Sequence, residues 1–373
     1  MEKKVPSSLF NIFSFLILIL FISFYFIIIK DERDAEITTI PDHYSILHIP
    51  RVDPSDSKLN VTEPPKVVLK KFDRFIFASY GTCSGIGNQM YRVAALYGIG
   101  LHLNRTPGFD SKKKCQRDYT KEYMSTFPNV MNLISFHDLK SPEVSHSVFG
   151  DNCCKYDDPE ILHDVPQKYL ILNGNYFQTY KYFHPVKDHV RELFDFHPKI
   201  KDTVEAHGRE LFTNDTDSHK MCIHVRRGDF VRHEFLETRS EFLIPAMATV
   251  RNFTSKKYPK KKISLIFLTQ EKEFVNSLNF EKSDYFKIYR PELKTRTENM
   301  YFGIRFCESI LLSASGSTFG FWIAYLMPEG SPVFYNGQIA EIRGKGGYPK
   351  DLLDYDGFPK NWNMLEFDKS KNT

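Results

Sequence analysis

Hydrophobic positions along the chain fall into three regimes. From Phe10 to Ile29, twenty residues run without a charge, FNIFSFLILILFISFYFIII; at ~1.5 Å per residue such a run spans the ~30 Å hydrocarbon layer. It predicts one transmembrane helix. A cleaved signal peptide competes with that reading, but its apolar region is shorter and leads into small residues, whereas this run ends on Lys30-Asp31-Glu32-Arg33. From Asp31 to about Lys71 the chain is polar and punctuated by Pro41, Pro50, Pro54, Pro64 and Pro65, the pattern of a stem.

Folding begins near Phe72, where short apolar runs alternate with amphipathic segments. Phe75–Ala78 predicts a strand, followed by a glycine-rich turn, Gly81 to Gly87. A helix follows over Asn88–His102, with Met90, Val93, Ala94, Tyr97 and Leu101 on one face. Further strands are predicted at Tyr169–Leu172, Met221–Val225, Ile263–Leu268 and Ser309–Ser313, and Pro332–Tyr335 closes the sheet. Helices are predicted at Asp188–Phe196, stopping before Pro198, and at Thr318–Leu326. Such alternation predicts an α/β fold with parallel sheets covered by helices. The length suits two such units, with a boundary near residues 198–218.

Composition changes this picture little. The net charge of +4 over 373 residues excludes a dedicated nucleic-acid binder, and the lysine run Lys256 to Lys262 reads as a solvated loop before a strand. The lysines and arginines flanking the apolar run, Lys3 and Lys4 against Lys30 and Arg33, leave its orientation undecided. Four glycosylation sequons, at Asn60, Asn104, Asn214 and Asn252, and six cysteines all follow the run. They favour a short cytoplasmic tail and a body in an oxidising lumen, with a buried free thiol the competing reading for Cys222. This layout is that of single-pass type II Golgi membrane enzymes. Sequence does not choose among the cysteine pairings.

The chemistry-bearing residues cluster after strands, where open parallel sheets bind ligands. His224-Val-Arg226-Arg227-Gly-Asp229 follows one strand; Ser313-Ala-Ser-Gly-Ser317-Thr318-Phe319 follows another and opens a helix. Helix-start N–H groups, the Ser317 and Thr318 hydroxyls and an arginine fork suit a diphosphate. Arg226 is expected to contact phosphate, with Arg227 and Asp229 shaping the loop. A salt-bridged surface turn and a simple helix cap are the bland alternatives. Gly85-Ile-Gly87 lacks the third glycine of a dinucleotide fingerprint. Asp215-Thr-Asp217 and Asp354-Tyr-Asp356 have the form of a metal-binding pair but close no apolar strand, and the histidines and Cys153-Cys154 lack zinc spacing.

Four blocks together, GIGNQMYRVAALYGIG, NGNYFQTYKYF, HVRRGDF and GSTFGFWIAYL, resemble the animal alpha-1,2-fucosyltransferases, glycosyltransferase family 11. The resemblance covers roughly Phe75 to Tyr335. It implies a GT-B fold of two Rossmann-like domains, GDP-fucose as donor, inversion at the fucose anomeric carbon, a glycan acceptor with galactose O-2 as the target, and no required metal or other cofactor. The expected layout is a cytoplasmic tail (1–9), an anchor in the Golgi membrane (10–29), a stem (30–71), an acceptor-side domain (72–205), a GDP-fucose-binding domain (206–345) and a tail (346–373). Carried over by position, Arg226 binds the donor diphosphate, with Arg227, Ser317, Thr318 and Phe319 on the nucleotide side. Asn88, Gln89 and Gln178 face the cleft from the other domain. Asp229 and His224 are the candidates for taking the acceptor's proton, each with a structural role as the alternative. Cleft loops between Cys115 and Asp158 are expected to set acceptor preference. Thr269-Gln270-Glu271 replaces the Ser-Asp-Asp of many relatives, which motivates a competing reading: a catalytically silent luminal protein that binds glycan or nucleotide.

Overall fold

The computed structural model describes residues 45–47, 68–79, 83–140, 142–151, 154–232, 236–339 and 357–368. The predicted membrane anchor at 10–29 lies outside them, as do most of the stem and the cytoplasmic tail. Among the described residues no helix is long and apolar enough to cross a membrane.

Among the described residues twelve strands form two sheets. They are β1 (Ser45–Leu47), β2 (Phe75–Ala78), β3 (Thr106–Asp110), β4 (Ser135–His137), β5 (Val144–Ser147), β6 (Tyr169–Leu172), β7 (His219–His224), β8 (Ile263–Leu268), β9 (Ile288–Tyr289), β10 (Ser309–Leu312), β11 (Val333–Asn336) and β12 (Asn363–Asp368). The first sheet, ordered β4-β3-β2-β6-β5, is parallel throughout. The second runs β1-β12-β11-β10-β7-β8-β9 and is parallel except where β1 lies antiparallel to β12. All six residues of β7 and of β8 are buried; burial on both faces is why β8 reads as a near-continuous apolar run, whereas in β7 only Met221-Cys222-Ile223 does so, between polar ends.

Both sheets lie in one compact unit, Ser45–Asp368. The helix α1 (Ile86–His102), which follows β2, meets the helix α2 (Thr318–Leu326), which follows β10, through an aromatic cluster. Trp322, 0% exposed, stacks on Phe183 at 5.3 Å, and its indole N–H donates to Gly87 O at 2.8 Å. Tyr91 lies 4.7 Å from Phe321. Each such ring, fully buried, contributes about 1.5–3 kcal/mol of transfer free energy. The same core therefore fixes the two helix starts that face the cleft.

Several expectations are corrected. The chain does not end its sheet at β11, because residues placed in the tail supply β12 and residues placed in the stem supply β1. The region of the expected boundary holds a helix, Pro198–Leu211. Pro198 begins this helix, since a first-turn residue needs no N–H partner, and the preceding helix is shorter than expected, Lys187–Leu193. The segment from Cys115 to Asp158 is not a set of loops: it contains most of the helix Lys114–Thr126, the helix Pro128–Leu133, and β4 and β5.

Candidate active site

The carboxyl ends of β7, β8 and β10 and of β2 and β6 open onto one cavity of about 660 Å³. Its second-sheet wall carries His224 to Phe230, Leu268 to Glu271 and Gly316 to Phe319; its first-sheet wall carries Gly85 to Asn88, Tyr176 and Gln178. A volume of this order suits a small organic ligand.

The Arg226 loop is tied from below by a residue that no sequence motif marks. Thr238 is fully buried, and its hydroxyl accepts from Arg226 N at 2.9 Å and lies 2.8 Å from Ser313 Oγ. Ser313 Oγ in turn donates to His224 O at 2.6 Å. Arg227 is tied locally: Nη1 donates to Thr238 O at 2.7 Å, and the guanidinium lies 4.5 Å from the centre of the Phe274 ring. Arg226 pairs with Asp229, Nη2 to Oδ1 at 2.7 Å, in a bridge whose side chains are 41% and 52% exposed. Its Nε is buried without a hydrogen-bond partner.

His224 lies in the cavity wall, 4% exposed, with its ring stacked on Phe319 at 6.1 Å and its Nδ1 unpartnered. Burial, followed by the nearby Arg226 charge, holds its pKa down at about 3. The imidazole is therefore neutral at physiological pH and a weak proton acceptor. Helix α2 begins beside it, capped by Ser317 with no acidic residue in its first turn, so its dipole favours an anion in the cavity. A Cβ built on Gly320 would approach His224 Nδ1 to 2.7 Å, so only glycine lets the helix start lie this close to the imidazole.

Gly87 makes the equivalent close approach between the two walls. A Cβ there would stand 2.6 Å from Thr318 Oγ1, 2.8 Å from Thr318 C and 2.9 Å from Phe319 N. Two of these are backbone atoms, so the start of α2 has to move. Gly87→Ala is expected to destabilise the protein by about 1–3 kcal/mol, seen as a lower Tm in thermal unfolding; an unchanged Tm would mean the contact is not made in solution.

Asn88 and Gln178 both line the cavity and meet there, Gln178 Nε2 donating to Asn88 Oδ1 at 3.0 Å. Gln89 is placed differently: it is 4% exposed, is absent from the cavity lining and reaches Ser84 O at 3.5 Å. Thr269, Gln270 and Glu271 line the cavity, together with Arg296 and Asn299, which sequence reading missed. No described residue from Cys115 to Asp158 lines it.

Asp215 is committed elsewhere, to Lys220, Ser264 and Tyr289, and is buried. Asp217 is exposed, and Asp354 and Asp356 lie outside the described residues. Among the described residues no group of three or more His, Cys, Asp or Glu is placed to hold a metal. Asn104, Asn214 and Asn252 are exposed, while Asn60 lies outside the described residues. Disulfides join Cys83 to Cys115 and Cys222 to Cys307, which corrects the free-thiol alternative for Cys222.

The profile of the family described as Glycosyl transferase family 11 matches residues 162–341, a stretch that includes Gln178, the Arg226 loop and the start of α2. A Caenorhabditis elegans protein named galactoside 2-alpha-L-fucosyltransferase is 29% identical over 75% of this chain and 77% of its own length. A second, named putative galactoside 2-alpha-L-fucosyltransferase svh-11, is 27% identical over 82% and 83%. Among solved structures, the fucosyltransferase NodZ from Bradyrhizobium covers 68% of this chain and 94% of that chain at TM-score 0.43 and 12% identity. A mutant of Arabidopsis thaliana FUT1 in complex with GDP covers 75% and 72% at TM-score 0.45 and 15% identity. The protein is an enzyme of the glycosyltransferase class. Its residues 162–341 carry a glycosyl transferase family 11 domain, in agreement with the resemblance carried by its four sequence blocks.

Proposed function

We propose that the chain transfers fucose from GDP-fucose to O-2 of a galactoside, with inversion and without a metal, as a Golgi enzyme held by the helix at 10–29 with its body in the lumen. The observation that carries the donor assignment is the convergence of Arg226 and the positive end of the α2 helix, which has no acidic residue in its first turn, on one cavity. The names of the relatives support the fucosyl and galactoside parts of the reading. The two disulfides and the exposed sequon asparagines support the luminal part.

As the bond from fucose to GDP breaks, negative charge grows on the β-phosphate. Arg226, the first N–H groups of α2 and the hydroxyl of Thr318 stabilise that charge from fixed positions, the role a divalent cation takes in other transferases. His224 contributes a neutral ring nitrogen at the same end of the cavity. The acceptor approaches from the opposite wall, so its hydroxyl oxygen bonds to the anomeric carbon on the face opposite the departing GDP, as the bond to the β-phosphate oxygen breaks and the hydroxyl proton passes to water.

The test is transfer from GDP-fucose to a panel of β-galactosides by the full chain in detergent, with EDTA present. A 2-linked product is expected, with the fucose inverted to the alpha anomer. Neither transfer nor a rise in Tm on adding GDP would overturn the donor assignment and favour the silent-protein reading.

A further inference from the structure

The first-sheet wall of the cavity is built around a buried cation that the donor chemistry does not use. Arg92, on α1, is 0% exposed. Its Nε donates to Asn175 O at 2.6 Å and its Nη2 to Asn175 Oδ1 at 2.6 Å, a two-point grip that lysine cannot reproduce. The guanidinium lies 5.3 Å from the centre of the Tyr176 ring, within cation–π range.

The loop held this way is strained. Phe177 takes a left-handed φ of 51° although it is not glycine, and its ring is 1% exposed in the core. Such conformations cost on the order of 1–3 kcal/mol and persist where surrounding structure enforces them, commonly at functional sites. Here the turn places the side chains on either side of Phe177 where both reach the cavity: Tyr176 and Gln178 line it, while Phe177 anchors the loop between them. Gln178 is steadied by Asn88 at 3.0 Å.

The two walls differ in chemistry. The second-sheet wall has Arg226, Arg227 and a helix start, all suited to an anion. The wall that Gly85 to Asn88, Tyr176 and Gln178 contribute holds an aromatic ring and two amides and carries no charge. An aromatic face beside amide groups suits a neutral pyranose, which offers a C–H face to the ring and hydroxyls to the amides.

We propose that Tyr176 and Gln178 form the acceptor-sugar subsite, and that Arg92 is the positioning residue which, through Asn175, holds Tyr176 in place. This rests on the transfer reaction proposed above and names the part of the cavity that takes its second substrate.

Steady-state kinetics of the full chain and its variants, with both substrates varied, tests it. Tyr176→Ala is expected to raise the acceptor KM about tenfold, with the GDP-fucose KM and the rise in Tm on adding GDP retained. Tyr176→Phe, which keeps the ring, brings the acceptor KM back toward the parent value. Arg92→Lys raises the acceptor KM in the same sense, and its effect is not additive with that of Tyr176→Ala, because both remove one device. An acceptor KM unchanged in Tyr176→Ala, or a GDP-fucose KM raised as much as the acceptor's, overturns the subsite and leaves the reaction standing. Absence of transfer by the parent protein while GDP still raises its Tm overturns the acceptor assignment itself, and the subsite with it.

Discussion

Replacing Arg226 by alanine is expected to lower kcat for fucose transfer by about 10²–10³-fold, the usual cost of removing one fixed group that meets developing charge. The structure shows why this arginine is available for the task. Its partner Asp229 is 52% exposed, and the pair is itself solvent-facing, so the bridge is worth at most about 1 kcal/mol and yields readily to a diphosphate. Its buried Nε has no partner, and a buried donor gains most from an acceptor that arrives with the ligand. The backbone of the loop does not depend on the side chain, because Thr238 holds Arg226 N and Arg227 independently. Arg226→Ala should therefore retain its fold and Tm while losing both catalysis and stabilisation by GDP. Arg226→Lys restores a point charge without the fork and is expected to recover only part of the rate. His224 cannot substitute as a cation, since burial keeps its pKa near 3. Full kcat in Arg226→Ala would move the leaving group away from this end of the cavity.

Where burial is uniform along a segment, sequence revealed it directly. The strand Ile263–Leu268 and the helix Thr318–Leu326 have the bounds their patterns predict. Segments were lost where local chemistry points the wrong way. No strand was expected at β3, where Pro107-Gly108 is a turn-type dipeptide, yet Thr106-Pro107 pairs with Phe75-Ile76 inside the first sheet. Pro198 reads as a stop and is a start. The strand β12 follows a polar stretch and is held in place by its neighbour β11, which no local pattern encodes.

The site divides in the same way. Arginine after a strand and Ser-Thr before a helix are local statements, so the Arg226 and Ser317-Thr318 end of the cavity was legible. Thr238 stands twelve residues beyond Arg226, and Arg92 is separated from Asn175 by 83 positions. Threonine and arginine are too common for their type alone to reveal such roles. Gln89 shows the converse: a residue inside a recognised block, on the same helix start as Asn88, turns away from the cavity because adjacent helical residues face about 100° apart.

The buried pair at the opposite end of the second sheet carries the largest expected loss of stability. Lys220 Nζ lies 3.3 Å from Asp215 Oδ1, with the side chains 8% and 0% exposed. Asp215 Oδ2 accepts from Ser264 at 2.6 Å and from Tyr289 at 3.0 Å, so one carboxylate links the amino ends of β7 and β8 to the last residue of β9. Asp215→Ala leaves a buried ammonium without its counter-charge. The expected cost is roughly 3–5 kcal/mol, or a Tm lower by roughly 4–9 °C at an unfolding entropy of about 2.1 cal/mol/K per residue.

The pH dependence follows from the direction of the shift. Burial raises the Asp215 pKa, but its hydrogen bonds with Ser218, Ser264 and Tyr289 and the Lys220 charge together outweigh burial, so the folded value lies below the ordinary one. The carboxylate's contribution is thus fully present above the unfolded-state pKa of about 4 and is lost as pH falls through the lower folded value. Parent and variant Tm values should differ most near neutrality and converge in acid. Because the pair lies at the strand ends remote from the cavity, fucose transfer measured well below Tm should survive Asp215→Ala, with no change in its response to EDTA. Loss of transfer in a folded variant would return Asp215 to consideration as a metal ligand. A Tm gap that widened in acid would mean the carboxylate is held protonated, against the sign derived from its partners.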